Sequence, residues 1–119
     1  MYIESTLINI LRGATMHKYD MYELFNEAID ELKGAKDYMS KALYFKYEDD
    51  KDNARKFYEL ASDECNHADV LHTMAHDIKE KHKDNMTTDE VYYLNMLKDD
   101  YSKHLLRTKT AMLMFEDKV

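Results

Sequence analysis

The sequence predicts an all-α fold, an antiparallel up-down helical bundle of three long helices plus a short N-terminal helix. Three observations carry that reading. The 119-residue chain has no proline and only two glycines, Gly13 and Gly34, so the turn-formers that a sandwich or barrel uses about every dozen residues are missing. Its apolar side chains recur at steps of three and four over three long windows, the period of a helix with one buried face. The stretches between those windows are short and polar, and short connections make consecutive long helices antiparallel neighbours. The length suits a single domain over residues 1–119, with residues 1–19 as an N-terminal segment.

Within that segment the apolar run from Thr6 to Leu11 reads as a short helix stopped at Gly13. The first long helix starts at Asp20, an N-cap acid followed three residues later by Glu23 in a capping-box-like pair. Leu24, Ala28, Glu31, Ala35, Tyr38, Ala42 and Phe45 then step by four and three along one face, and Glu31 is its charged member. Glu48-Asp49-Asp50-Lys51-Asp52 is a solvated connection, with Asp52 or Asn53 as the cap of the second helix. The second stripe is Phe57, Leu60, Glu64, His67, Leu71, Met74 and Ile78. Lys79 to Asn85 is polar enough to end that helix, and Thr87 with Glu90 forms a second capping-box pattern. A third helix from about Thr88 to Asp117 collects Val91, Leu94, Leu97, Tyr101, Leu105, Met112 and Phe115, with Asp100 and His104 beside them. Three long helices leave one side of a bundle open, to be covered by the N-terminal helix or by a second chain.

Composition narrows the partners. Seventeen basic against 24 acidic side chains give a formal charge of −7, whereas neutralising phosphates needs a basic face, so nucleic acid is not an expected partner. The longest uncharged stretch, Ser5 to Leu11, is too short to span a bilayer and follows Glu4 rather than a basic region, so neither a membrane helix nor a signal peptide is expected. A single cysteine, Cys65, excludes an intrachain disulfide, in keeping with a reducing compartment. The expectation is a soluble, non-secreted, cytoplasmic protein for which metal cations are natural partners.

An ionised carboxylate on an apolar stripe costs several kcal/mol unless it finds a cation or a proton. This chain places Glu31 and Glu64 on the inward stripes of neighbouring helices, and His67 lies one turn beyond Glu64 on the same side. In a Glu-x-x-His pair the i, i+3 offset lets a carboxylate oxygen and an imidazole nitrogen reach one point over a single turn. A carboxylate from the facing helix adds a bridging or terminal oxygen, and an oxygen-rich set with one imidazole suits iron or manganese better than structural zinc. The plain alternative is that both acids reach water at a bundle edge and His67 is an ordinary half-buried histidine.

The segments Glu31-Leu32-Lys33-Gly34-Ala35-Lys36-Asp37-Tyr38 and Ala61-Ser62-Asp63-Glu64-Cys65-Asn66-His67-Ala68 carry a family resemblance. Over Met21 to Ala75 the chain resembles the first helix pair of rubrerythrins and encapsulated ferritins, of the ferritin-like superfamily. That resemblance implies Glu31, Glu64 and His67 as iron ligands, with no catalytic residue separate from them, and Tyr38 as a nearby aromatic. It also implies oxidation of Fe(II) with dioxygen or peroxide as acceptor, in the cytoplasm or inside a protein compartment. A complete ferritin-like chain has a second Glu and a second Glu-x-x-His, and the third helix here offers only Glu90 and the i, i+4 pair Asp100 and His104. A homodimer, or a larger homo-oligomer, solves this, because two copies of Glu31, Glu64 and His67 supply a full di-iron shell of about two ions per dimer. A rubrerythrin-like peroxide scavenger would need a separate electron donor, since no Cys-x-x-Cys is present. The alternative from another class is a helical interaction module that dimerises through its Tyr-, Met- and Leu-rich faces and binds no metal.

Other residues take structural readings. Cys65 lies off the main stripe as a small packed residue rather than a thiolate ligand. His72 and His76 form an i, i+4 pair on what Asp69 and Asp77 mark as an exposed polar face. Asp100 and His104 are expected on the exposed flank. Tyr92, Tyr93 and Tyr101 are packing or interface residues.

Overall fold

The computed structural model describes residues 17–117. Helix α1 spans Asp20–Tyr47, α2 spans Lys51–His82, a single 3-10 turn follows at Lys83–Asn85, and α3 spans Thr88–Glu116. There is no strand among the described residues, and no helix in them is long and apolar enough to cross a membrane. The expected short helix from Thr6 to Leu11 lies outside the described residues.

The chain runs up, down, up. Phe25 meets His72 and Tyr38 meets Phe57, so α2 is antiparallel to α1. Tyr22 meets Tyr93 near one end and Lys46 Nζ donates to the Phe115 carbonyl near the other, so α3 runs parallel to α1. Between α1 and α2 only Glu48, Asp49 and Asp50 are needed. The Asp50 N–H donates to the Phe45 carbonyl at 2.9 Å and the Asp49 N–H to that of Lys46 at 3.2 Å, the paired bonds of a Schellman ending. Asp49 takes the left-handed conformation that this ending requires, with φ 61°.

The caps correct two expectations. Asp50, not Asp52 or Asn53, caps α2, its carboxylate accepting from the Asn53 N–H at 3.2 Å. Asp20 lies inside the first turn of α1 and accepts from the His17 N–H, while the N-cap position belongs to Tyr19 without a side-chain bond. The capping box of Thr87 and Glu90 forms as expected. Glu90 also pairs with Lys18 at 3.0 Å, and the backbone N–H at Thr87 leads in drawing its carboxyl down to about 2.

The α1 stripe is buried at Leu24, Ala28, Ala35 and Ala42, and the buried face widens to Met21, Phe25, Ile29, Leu32 and Met39 because α1 touches both other helices. On α2 the buried line is rotated about one residue from the expected one. Ala54, Ala61, Ala68 and Ala75 replace Phe57, Leu60, His67 and Met74 as its centre, and Leu60 is 42% exposed. The α2 alanines and Ala28, Ala35 and Ala42 of α1 all recur every seven residues and are almost completely buried. Short side chains repeated at that period let two helices approach closely along their length. On α3, Leu94, Leu97, Tyr101 and Met112 are buried as expected, whereas Val91 is 41% exposed. The buried Thr108 hydroxyl donates to its own turn at the His104 carbonyl and lies 3.3 Å from the Leu32 carbonyl, tying α3 to α1 beside Glu31.

Candidate metal centre

Two lines along α2 divide its neighbours. Tyr58, Cys65 and His72, spaced by seven, meet α3. Tyr58 stacks on Phe115, the Cys65 sulfur lies 4.0 Å from that of Met112, and His72 stacks on Tyr101 at 4.4 Å. Leu60, His67 and Met74, also spaced by seven, fall on the other edge, where His67 meets Glu31 of α1. The rotation of the alanine line sets this division, placing Glu64 and His67 on the flank of the α1–α2 seam rather than at its centre.

At that flank the structure brings the three sequence-predicted residues together. One ligand atom from each of Glu31, Glu64 and His67 lies within 4.8 Å of the others. His67 Nδ1 is 3.6 Å from Glu31 Oε2 and 3.8 Å from Glu64 Oε1. These separations are too long for hydrogen bonds and short enough for two donors to reach one cation. Glu31 Oε2 and His67 Nδ1 are buried with no hydrogen-bond partner, an uncommon state for polar atoms. The His67 ring remains 40% exposed, so the pair is reached from outside along the imidazole.

Electrostatics at Glu31 follow from this setting. Burial, a hydrogen-bonding contact with Glu64 and the charges of Glu64, Glu27 and Asp30 push its carboxyl up to about 8. Two acids this close, one of them largely out of water, favour a shared proton over two negative charges.

Gly34 was not among the expected site residues. A Cβ at this position would sit 3.3 Å from Glu64 Oε2, so the missing side chain leaves the space in which the Glu64 carboxylate lies against α1. Its signal in the sequence was a lone glycine inside a helical pattern, three residues after the stripe's acid, where glycine costs about 1 kcal/mol relative to alanine.

Residues outside the cluster take other roles. Asp100 and His104 pair with each other at 3.4 Å and do not join the three. Tyr38, seven residues after Glu31, stacks on Phe57. Cys65 is buried, and burial raises its thiol pKa. His76 is exposed as expected, near Glu80 at 3.9 Å, but His72 is not. Phe25 meets its ring edge-on and Tyr101 stacks on it, and this burial lowers its pKa below the usual histidine range. Asp69 and Asp77 therefore marked a narrower polar face than their pattern implied.

The donor set offers three oxygen-rich or imidazole ligands, a pair of buried atoms lacking partners, and a cleared space for one carboxylate. Such a set fits ferrous or manganous ions better than zinc. No protein-family model, curated protein or solved structure matches the chain.

Proposed function

We propose that the chain is a small ferritin-like protein in which Glu31, Glu64 and His67 of two copies form a carboxylate-bridged di-iron centre that oxidises Fe(II). The observation that carries this reading is the buried, unpartnered pair Glu31 Oε2 and His67 Nδ1, with Glu64 beside them. The half-site lies on the edge of the α1–α2 seam, and exposed Leu60 and half-buried Met74 flank His67 at seven-residue spacing. A two-fold copy of that edge would cover the apolar residues and double the donors to four carboxylates and two imidazoles. When bound, iron would supply the redox step, with dioxygen or peroxide as acceptor. The protein's own part is to balance the cations with carboxylates, fix geometry through the imidazole, and hold water back with the surrounding apolar side chains. Manganese fits the same donors.

The second reading is a helical interaction module without metal. It is favoured by α3, which brings no second Glu-x-x-His and whose Asp100 and His104 pair with each other. The two separate on iron content after aerobic Fe(II) loading and desalting, read by elemental analysis beside the mass in solution. The di-iron reading expects about one iron per chain in a dimer, lost in Glu64→Ala and in His67→Ala. A folded wild type that retains no iron overturns it and leaves the module.

A further inference from the structure

The outward side of α3 carries a second regular line, in which large apolar side chains flank a charged pair. Tyr92, Met96, Asp99, Lys103, Leu106 and Thr110 alternate steps of four and three, the 3.5-residue period of a coiled-coil seam. All six are exposed, Tyr92 by 68%, Met96 by 53% and Leu106 by 69%, while Leu94, Leu97, Tyr101 and Thr108 fill the inward side. Leu113, 67% exposed, continues the line one step further. Their regular spacing on one line, rather than exposure alone, sets these apolar side chains apart from scattered surface ones.

We propose that this line is a self-association surface, covered by the same line of a second copy laid antiparallel across it. The charges select that occupant. Asp99 and Lys103 are the line's charged members, of opposite sign and one turn apart. A two-fold axis at the level of Tyr101 sets Asp99 against the partner's Lys103 twice over. The same register puts Met96 against the partner's Leu106 and Tyr92 against the partner's Thr110 on either side. Parallel pairing would instead bring Asp99 to the partner's Asp99 and Lys103 to the partner's Lys103, and like charges at a seam exclude that arrangement. A wholly apolar groove would desolvate both charges without a match. Over Tyr92 to Thr110 the line thus complements itself in the antiparallel direction, with Leu113 outside the paired stretch.

This surface is separate from the Glu31 edge of the α1–α2 seam, so the proposal stands whether or not metal binds. If both surfaces pair, two different two-fold contacts on one chain generate a closed ring or an open filament.

Sedimentation velocity of the full chain in chelator, over a range of concentrations, tests it. Wild type is expected to associate reversibly. Asp99→Lys and Lys103→Asp are each expected to weaken association by roughly tenfold or more. An equimolar mixture of the two variants is expected to recover wild-type association, because each altered side chain then meets its complement. All these positions are exposed, and circular dichroism of each variant checks that it stays helical. A wild type that is monomeric throughout overturns the proposal. So does association that neither charge variant changes, which would place the contact on another surface such as the Glu31 edge. Association that appears only after deletion of residues 1–16 would assign the line to the chain's own N-terminal segment and likewise overturn it.

Discussion

Two histidines of α2, five residues apart, sit in opposite surroundings. His72 faces α3 and lies between Phe25 and Tyr101, where aromatic walls and burial disfavour its proton. His67 faces away from α3 and has two carboxylates within 4 Å, and burial together with Glu64 pushes the Glu31 carboxyl up to about 8. The helix is the same and the side chain is the same. What differs is the set of neighbouring side chains, the rings of Phe25 and Tyr101 for one and the carboxylates of Glu31 and Glu64 for the other. A helical pattern therefore tells which residues share a line, but the chemistry of that line is decided by what packs against it.

The contrast can be broken most sharply at the carboxylate edge. Glu64→Ala should lower metal affinity by roughly 100-fold or more, since removing a ligand exceeds the loss seen for its supporting partners, while His72→Phe should leave affinity within a few-fold of wild type. Equilibrium dialysis with Fe(II) under anaerobic conditions reads both. Next in size is the seam that positions both edges. Ala68→Leu forces a large side chain into the closely packed alanine line and should destabilise the fold by about 1–3 kcal/mol in urea unfolding.

A smaller effect separates site from scaffold. Gly34→Ala should raise the stability of the metal-free chain by up to about 1 kcal/mol, because alanine is the better helix former. The same change crowds Glu64 Oε2, so metal affinity should fall while the melting temperature rises. Loss of both would mark Gly34 as a packing residue alone.

The smallest expected effect concerns pH on the aromatic edge. His72 has its proton affinity depressed in the fold, so below the ordinary histidine value of 6.5 the unfolded chain binds the additional proton. The His72 contribution to stability should therefore decline as pH falls from 7 through 6 and level off once the folded form is protonated, against the opposite trend that the raised Glu31 carboxyl adds over the same range. The difference between wild type and His72→Phe, measured by urea unfolding at stepped pH, isolates it.

Much of this arrangement was legible in the residues. The three long helices followed from apolar periodicity, and the second capping box from Thr87 and Glu90. Glu31, Glu64 and His67 stood out because acids on apolar stripes require a partner. The cap of α2 was missed because four acids lie within Glu48–Asp52, and only backbone geometry distinguishes the one whose carboxylate meets an N–H. The buried line of α2 was missed because alanine carries a weak hydropathic signal beside Leu60 and Met74, although the recurrence of alanine every seven residues was there to see. His72 was placed on a polar face because Asp69 and Asp77 are its neighbours in sequence, whereas Tyr101 reaches it from a different helix. Tertiary contacts of that kind leave no mark in a single helix's pattern.

On the proposed reading, the carboxylate edge of α2, and not its aromatic edge, takes up a metal ion. Calorimetric titration of the chelator-treated, dialysed chain with Fe(II) under argon decides this. Uptake of about one ion per chain is expected, with protons released on binding because Glu31 must give up its own, abolished by Glu64→Ala and kept in His72→Phe. A wild-type chain that takes up no ion, or one whose uptake is unchanged by Glu64→Ala, would contradict it.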